Sequence, residues 1–238
     1  MVHHSRFFVE EKIGGGESFI LSDKAQIHQI SRVLRLKEGS DIILLDNSGF
    51  EYSAVIESLA EDEIILKILE KRESEAEPKI KLALYQSLLK KDKMEWIFEK
   101  GTELGVSKFV PVLSKYCVKT DFNFERAKKI IREAAEQCGR AKLPELSEIS
   151  DFEKAAEFRA REGGLNFILD VDAGISLKKI VHEKKPSGEI NIFVGPEGGF
   201  SEDEIAAAEK AGFQIISLGK RILRAETAAI AACALLVD

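Results

Sequence analysis

The residues best placed to do chemistry lie in two short stretches near the C-terminal end of the chain. The first is GPEGG at 195–199, inside NIFVGPEGGFSEDEI. Glycines in such a turn let backbone approach a ligand closely, yet Glu197 puts a carboxylate in the middle of it. The spacing fits neither the phosphate loop G-x-x-x-x-G-K-[ST] nor the dinucleotide fingerprint G-x-G-x-x-G. With three more acids in SEDE just behind it, the loop would repel a phosphate. It suits a neutral or partly cationic ligand with hydroxyls or amines. The second stretch, SLGKRILRAETAAIAACALL at 217–236, crowds Arg221, Arg224, Glu226 and Thr227 at the head of an alanine-rich segment. Each stretch also has a plainer reading, a tight turn in one case and a surface ion pair between Arg224 and Glu226 in the other. Two such junctions so close together favour the chemical reading.

The elements that must position these residues are strands followed by helices. INIFV is an apolar run of the kind that forms a buried strand, and GPEGG breaks it. FSEDEI then opens a helix: Ser201 and Glu204 form a capping box, and Phe200 and Ile205 a hydrophobic staple. FQIISL likewise ends at Leu218, turns at Gly219 and enters a helix over 225–236. Both loops therefore stand at the carboxyl ends of strands, where open α/β sheets bind ligands. Further strands are expected at IKLALY, FVPVL and LNFILDV, with helices around 90–104, 125–138, 151–162 and 202–211. The alternation predicts a parallel sheet covered by helices, an α/β fold.

The first 70 or so residues read differently. SRFFVE, the turn GGG, ESFIL, DIILLD, the turn NSG, FEYSAVIESL and EIILKIL form short strands and predict a small β-barrel or sandwich. One helix is expected over Ser22–Leu36, capped by Ser22, with Ile27, Ile30 and Leu34 on one face. KRESEAEP at 71–78 is charged and ends in proline, which makes it the linker. The expected domains are 1–72 and 78–238.

Composition excludes several classes. Three cysteines, far apart and without a C-x-x-C pair, leave no disulfide framework or zinc site, so no metal is expected. The N-terminal residues lack the long apolar core of a signal peptide, and AAIAACALLV is too short to span a bilayer. The expected location is cytoplasmic, with no membrane partner. The net charge of −6 hides a pattern: residues 79–142 hold 15 Lys and Arg against 8 Asp and Glu, while 1–77 hold 9 against 16 and 143–238 hold 11 against 17. A basic block inside an acidic chain can steer a polyanion, or can simply be a solvated face. Within it, FERAKKIIREAAEQCGRAK has an apolar face of Ile130, Ile131, Ala134 and Cys138. None of the four histidines has a visible catalytic partner; His3 and His4 lie at the terminus.

Taken together, GPEGG and LGKRILRAETAA resemble the last two motifs of the SPOUT methyltransferase superfamily. More narrowly, they resemble the 16S rRNA (uracil-1498-N3) methyltransferase family, RsmE. The resemblance covers nearly the whole chain: SRFF, HQISRVLRLKEGSDIILLDNSG, KMEWIFEKGTELGVSKFVPVLSKY, EAAEQCGRAKLPEL, FVGPEGGFSEDEI and LGKRILRAETAA follow in the family's order. Lys220 and Ala225 depart from it, standing where proline and threonine are common.

The resemblance implies a C-terminal α/β domain with a deep trefoil knot and a small N-terminal PUA-like β-barrel domain that binds RNA. It also implies a homodimer, and S-adenosylmethionine (AdoMet) held in the knot. The cofactor residues it assigns are Leu169, Asp170, Gly195, Pro196, Glu197, Gly198, Gly199, Leu218, Gly219, Ile222 and Leu223. Glu197 either accepts hydrogen bonds from the ligand or braces its own loop. Arg224 is the first choice for stabilising the uracil anion, with Glu226 orienting it and Thr227 assisting; a purely structural Glu226 is an equal alternative. For RNA, Arg132, Gln137 and Arg140 of the basic helix are expected to contribute, with Arg6, Arg32, Arg35, Lys37 and Arg221. The implied partner is 16S rRNA within the 30S subunit. Two other readings remain: a SPOUT enzyme acting on tRNA or another rRNA site, and an RNA-binding assembly factor without catalysis.

Overall fold

The computed structural model describes residues 5–117 and 122–237, so His3 and His4 lie outside it. The chain divides into two compact units. The first comprises 1–77 together with 135–143, and the second 78–134 with 144–238.

In the first unit, β1 (Ser5–Phe8), β2 (Ser18–Leu21), β3 (Asp41–Leu45), β4 (Phe50–Leu59) and β5 (Ile64–Glu73) form one sheet in the order β1-β3-β4-β5-β2. The expected run of strands is present, but β1 and β2 do not pair across the GGG turn. They stand at opposite edges, β1 parallel to β3 and β2 antiparallel to β5. The core is Phe7, Ile42, Leu44, Ile56, Ile64 and Leu66 from alternating strand positions, sealed by Ile27 and Ile30. The expected helix is shorter than its apolar pattern. α1 spans Lys24–His28, and its cap is Asp23, not Ser22: the Asp23 carboxylate accepts from the Gln26 N–H at 2.8 Å. A π-helical turn follows at Gln29–Val33, closed by Leu34 N–H donating to the Gln29 carbonyl at 2.9 Å. The wider winding leaves Leu34 exposed instead of continuing the apolar face. Residues 135–143 bring Ala135 and Ala141 against Phe8, Ile43 and Leu45.

The second unit is built on a parallel sheet of β6 (Lys81–Ser87), β7 (Lys108–Leu113), β8 (Glu145–Leu146), β9 (Ser150–Asp151), β10 (Leu165–Leu169), β11 (Glu189–Val194) and β12 (Gln214–Ile216). The order is β12-β10-β11-β6-β7-β8, with β9 also on β7, and every pairing is parallel. The helices are α2 (Lys91–Glu103), α3 (Phe124–Cys138), α4 (Phe152–Glu162), α5 (Leu177–Lys184), α6 (Glu202–Lys210) and α7 (Ala225–Leu236); the last residues of α3 belong to the first unit. α5 has no counterpart in the sequence reading because its eight residues, LKKIVHEK, carry too short a pattern. Central strands are buried on both faces, as parallel sheets require: Ile190, Ile192 and Val194 enter one apolar cluster, Phe193 the other. The alanines of α7 let it pack closely on α2, and Ala229, Ala232 and Cys233 are fully buried there. Burial pushes the Cys233 thiol up to about 12, so it is a packing residue.

Candidate active site

Three loops leave the carboxyl ends of three adjacent strands, β12, β10 and β11. They enclose a cavity of about 370 Å3, within the range of small-molecule sites. Leu169 and Asp170 reach it from the end of β10, Gly195, Pro196, Glu197 and Gly199 from β11, and Leu218, Gly219, Arg221, Ile222, Leu223 and Arg224 after β12. Of the expected cofactor residues only Gly198 lies off the cavity wall; a Cβ there would meet Tyr116 Cβ at 3.2 Å.

The local backbone explains the motif. Gly199 N–H donates to the Pro196 carbonyl at 2.9 Å, closing a four-residue turn. Gly199 takes φ +71°, where side chains are strained. A Cβ on Gly195 would lie 3.1 Å from the Gly199 carbonyl carbon, so the turn folds back onto its own start. α6 is fixed beyond it by the expected capping box: Ser201 N–H donates to Glu204 Oε2 at 2.8 Å and Glu204 N–H to Ser201 Oγ at 3.4 Å. Phe200 and Ile205 enter the same apolar cluster, as the staple requires. Glu204 Oε1 also accepts from the Lys115 N–H at 2.8 Å, tying the loop after β7 to this end of the sheet.

The electrostatics differ from expectation at Glu226. Its partner is not Arg224 but Lys93, whose Nζ lies 3.5 Å from Glu226 Oε2 and 2.9 Å from Glu197 Oε1. The reason is the packing of α2 on α7, which brings the first turn of α2 to the first turn of α7. The hydrogen bond from Lys93 holds the Glu197 carboxyl below the usual carboxylate range, and the same bond raises the Lys93 ammonium. Arg224 is the N-cap residue of α7; it and Arg221 are exposed, with no acidic partner among the described residues. Thr227 is exposed on the first turn and does not line the cavity. Ile222 is 86% exposed and Val171 60%, both at the cavity, where a ligand would cover them. Lys93 is the member of this charge cluster that the sequence reading did not single out. Its signal was LLKKDKMEW, a further strand-to-helix junction on the same sheet edge, with β6 next to β11.

The expected RNA-binding residues fall into separate groups. In the first unit Arg32, Arg35 and Lys37 are exposed on and after the π-turn, and Arg32 lines a 610 Å3 groove with Lys24 and His28. Arg140 sits differently. It is 3% exposed, and its guanidinium pairs with Glu77 at 3.1 Å. Glu77 also accepts from the N–H groups of Ala141 and Lys142, each at 2.9 Å. A buried guanidinium with a carboxylate partner anchors 135–143 within its own unit. Arg6 is partly buried, its Nε 3.9 Å from Glu51. Gln137 is exposed and Arg132 partly so.

Known proteins of the same kind match this chain along its length. Residues 75–237 match the family model described as an RNA methyltransferase domain, and residues 21–69 the one described as an RNA methyltransferase PUA domain. Ribosomal RNA small subunit methyltransferase E of Bacillus subtilis is 31% identical over 94% of this chain and 92% of its own length. The Rickettsia conorii protein of the same name is 30% identical over 97% and 94%. The crystal structure of Ribosomal RNA small subunit methyltransferase E from Neisseria gonorrhoeae, bound to S-adenosyl methionine, superposes with a TM-score of 0.90 at 33% identity, covering 98% of this chain and 96% of that one. Fold, strand-end cavity and sequence thus agree, and the chain belongs to the ribosomal RNA small subunit methyltransferase E family.

Proposed function

We propose that this protein transfers a methyl group from AdoMet to N3 of one uridine in 16S rRNA of the small ribosomal subunit, at the position-1498 type of site. The observation that carries the reading is the cavity at the carboxyl ends of β12, β10 and β11, with Arg224 at its rim. The donor set fits the cofactor. Tightly turned backbone at Gly195–Gly199 offers N–H and C=O groups to an adenine and a ribose. Exposed Ile222 and Val171 offer apolar cover, and Asp170 and Glu197 suit a ligand with cationic groups and no phosphate. AdoMet, when bound, supplies an already activated methyl group on its sulfonium.

The protein's share is positioning and electrostatics. The loops fix the ligand's orientation and exclude water. The Arg224 guanidinium, free of an acidic partner among the described residues, favours the negative charge that develops on the uracil oxygens as N3–H is lost. Thr227, in the first turn of α7, assists with a hydroxyl hydrogen bond. The N3–C bond forms as the S–C bond breaks, and the imide proton passes to solvent or to a base in the RNA complex.

Residues 1–72 form the PUA-like, barrel-type RNA-binding domain and 78–238 the SPOUT domain. Its deep trefoil knot is supported by the return of the chain after β12, where α7 packs back against α2, β6 and β11. Arg32, Arg35, Lys37, Arg132, Gln137 and Arg221 supply RNA contacts, with Arg6 at the margin. The active form is a homodimer acting on the 30S subunit in the cytoplasm, without a metal. The test is transfer of a labelled methyl group to unmodified 30S subunits, naked 16S rRNA and bulk tRNA. Label in 30S rRNA mapping to N3 of one uridine is the expected result. Label only in tRNA would move the substrate, and no label in any of them would overturn the proposal.

A further inference from the structure

We infer that Lys93 is a positioning residue that couples the two halves of the site, holding Glu197 of the β11 loop and Glu226 of α7 with one ammonium group. The inference rests on the proposed function and assigns it a residue that lies on neither of the two recognised motifs.

Three observations carry it. Lys93 comes from α2, which follows β6, a strand outside the three that supply the cavity loops. Its Nζ stands 2.9 Å from Glu197 and 3.5 Å from Glu226, and an ammonium has three donors to share. Glu226 Oε2 is buried and makes no hydrogen bond, so the nearby ammonium is its compensating charge. An exposed ion pair alone would contribute little, and Glu197 is 40% exposed. Glu226 is 15% exposed, and removing Lys93, its only cation among the described residues, leaves a carboxylate oxygen poorly solvated.

The arrangement has a mechanical consequence. Glu226 lies two residues beyond Arg224, in the first turn of α7. Fixing it sets the start of that helix and so the direction in which Arg224 projects. Glu197 lies in the turn that shapes the cavity wall. One arm of Lys93 therefore acts on ligand affinity and the other on the chemical step.

The test uses the full-length protein, AdoMet binding by calorimetry and single-turnover methyl transfer to 30S subunits. Lys93→Met is expected to weaken AdoMet binding about 10-fold and to slow transfer about 10-fold, the scale of coupling between groups in contact. Lys93→Arg is expected to restore most of both. The Lys93→Met/Glu197→Gln double variant should bind AdoMet no worse than Lys93→Met alone. Glu226→Gln should slow transfer and leave the AdoMet Kd within about twofold. Thermal unfolding accompanies each variant. If Lys93→Met does not fold, Lys93→Gln replaces it, and Glu197→Gln and Glu226→Gln test each arm without touching the lysine. Additive losses in the double variant, or Lys93→Met matching an active wild type, would overturn the role of Lys93 alone. A wild type that neither binds AdoMet nor transfers methyl would overturn the proposed function and this inference with it.

Discussion

At the scale of single residues, a guanidinium at the N-cap of a helix has one advantage over its neighbours: it is held by the helix start yet pairs with no acid among the described residues. Arg224 has that position. Replacing it with alanine should slow methyl transfer about 10²–10³-fold, as for loss of one preorganised donor at a developing anion. Single-turnover rates and AdoMet calorimetry on the same samples read both quantities, and the Kd should stay within a few-fold. A rate close to wild type would remove Arg224 from the chemistry. The turn at GPEGG and the helix start at RILRAET were legible in the sequence because their signals are local: glycines at a turn, polar groups at a helix start. Lys93 was not, because its partner Glu197 is 104 residues away and KKDK looks like any solvated charge run. Arg140 likewise gave no sign of its partner, for the same reason. It counts toward the basic block, yet its countercharge is Glu77, 63 residues earlier.

At the scale of elements, the cavity depends on where α6 begins, because the cap follows GPEGG directly. Ser201→Ala removes one side of the capping box and should cost about 1 kcal/mol of stability, measured by urea unfolding at neutral pH. An unchanged midpoint would mean that the Glu204 carboxylate, still held by Lys115 N–H, fixes the loop by itself. The capping box and staple were readable because both are short-range patterns. The helix expected over 22–36 failed at its middle, where Ser31 Oγ donates to the Ile27 carbonyl at 2.7 Å and the backbone widens into a π-turn. That is a contest among backbone hydrogen bonds that apolar spacing does not record. The same holds for β1 and β2, whose pairing partners come from β3 and β5 and not from each other.

At the scale of the whole molecule, the fold class and the order of the α/β elements followed from periodicity, but the interleaving did not. Residues 135–143 join the first unit because Ala135 and Ala141 fill its apolar gap, a fit of shapes and not a sequence signal. Stability toward acid should depend on Asp46 in that unit. Burial alone would push its carboxyl up, but hydrogen bonds from Ser48 and the Ile13 N–H outweigh burial and hold it below its ordinary value of 3.8. A depressed folded pKa gives stability that is present above that value and lost as pH falls through the lower folded one. Asp46→Asn should therefore lower stability at pH 6 by about 1–3 kcal/mol and narrow the gap to wild type at pH 3. Parallel stability curves at the two pH values would contradict this. The strand-end cavity is the proposed AdoMet site. Titrating AdoMet into the wild type and Gly195→Ala tests it most directly, since a Cβ there would press on the Gly199 carbonyl carbon 3.1 Å away. Saturable AdoMet binding to the wild type is expected, weakened at least about 10-fold in the variant, as for a site whose backbone geometry is displaced. Equal affinity in the two proteins, with both folded, would place the cofactor elsewhere.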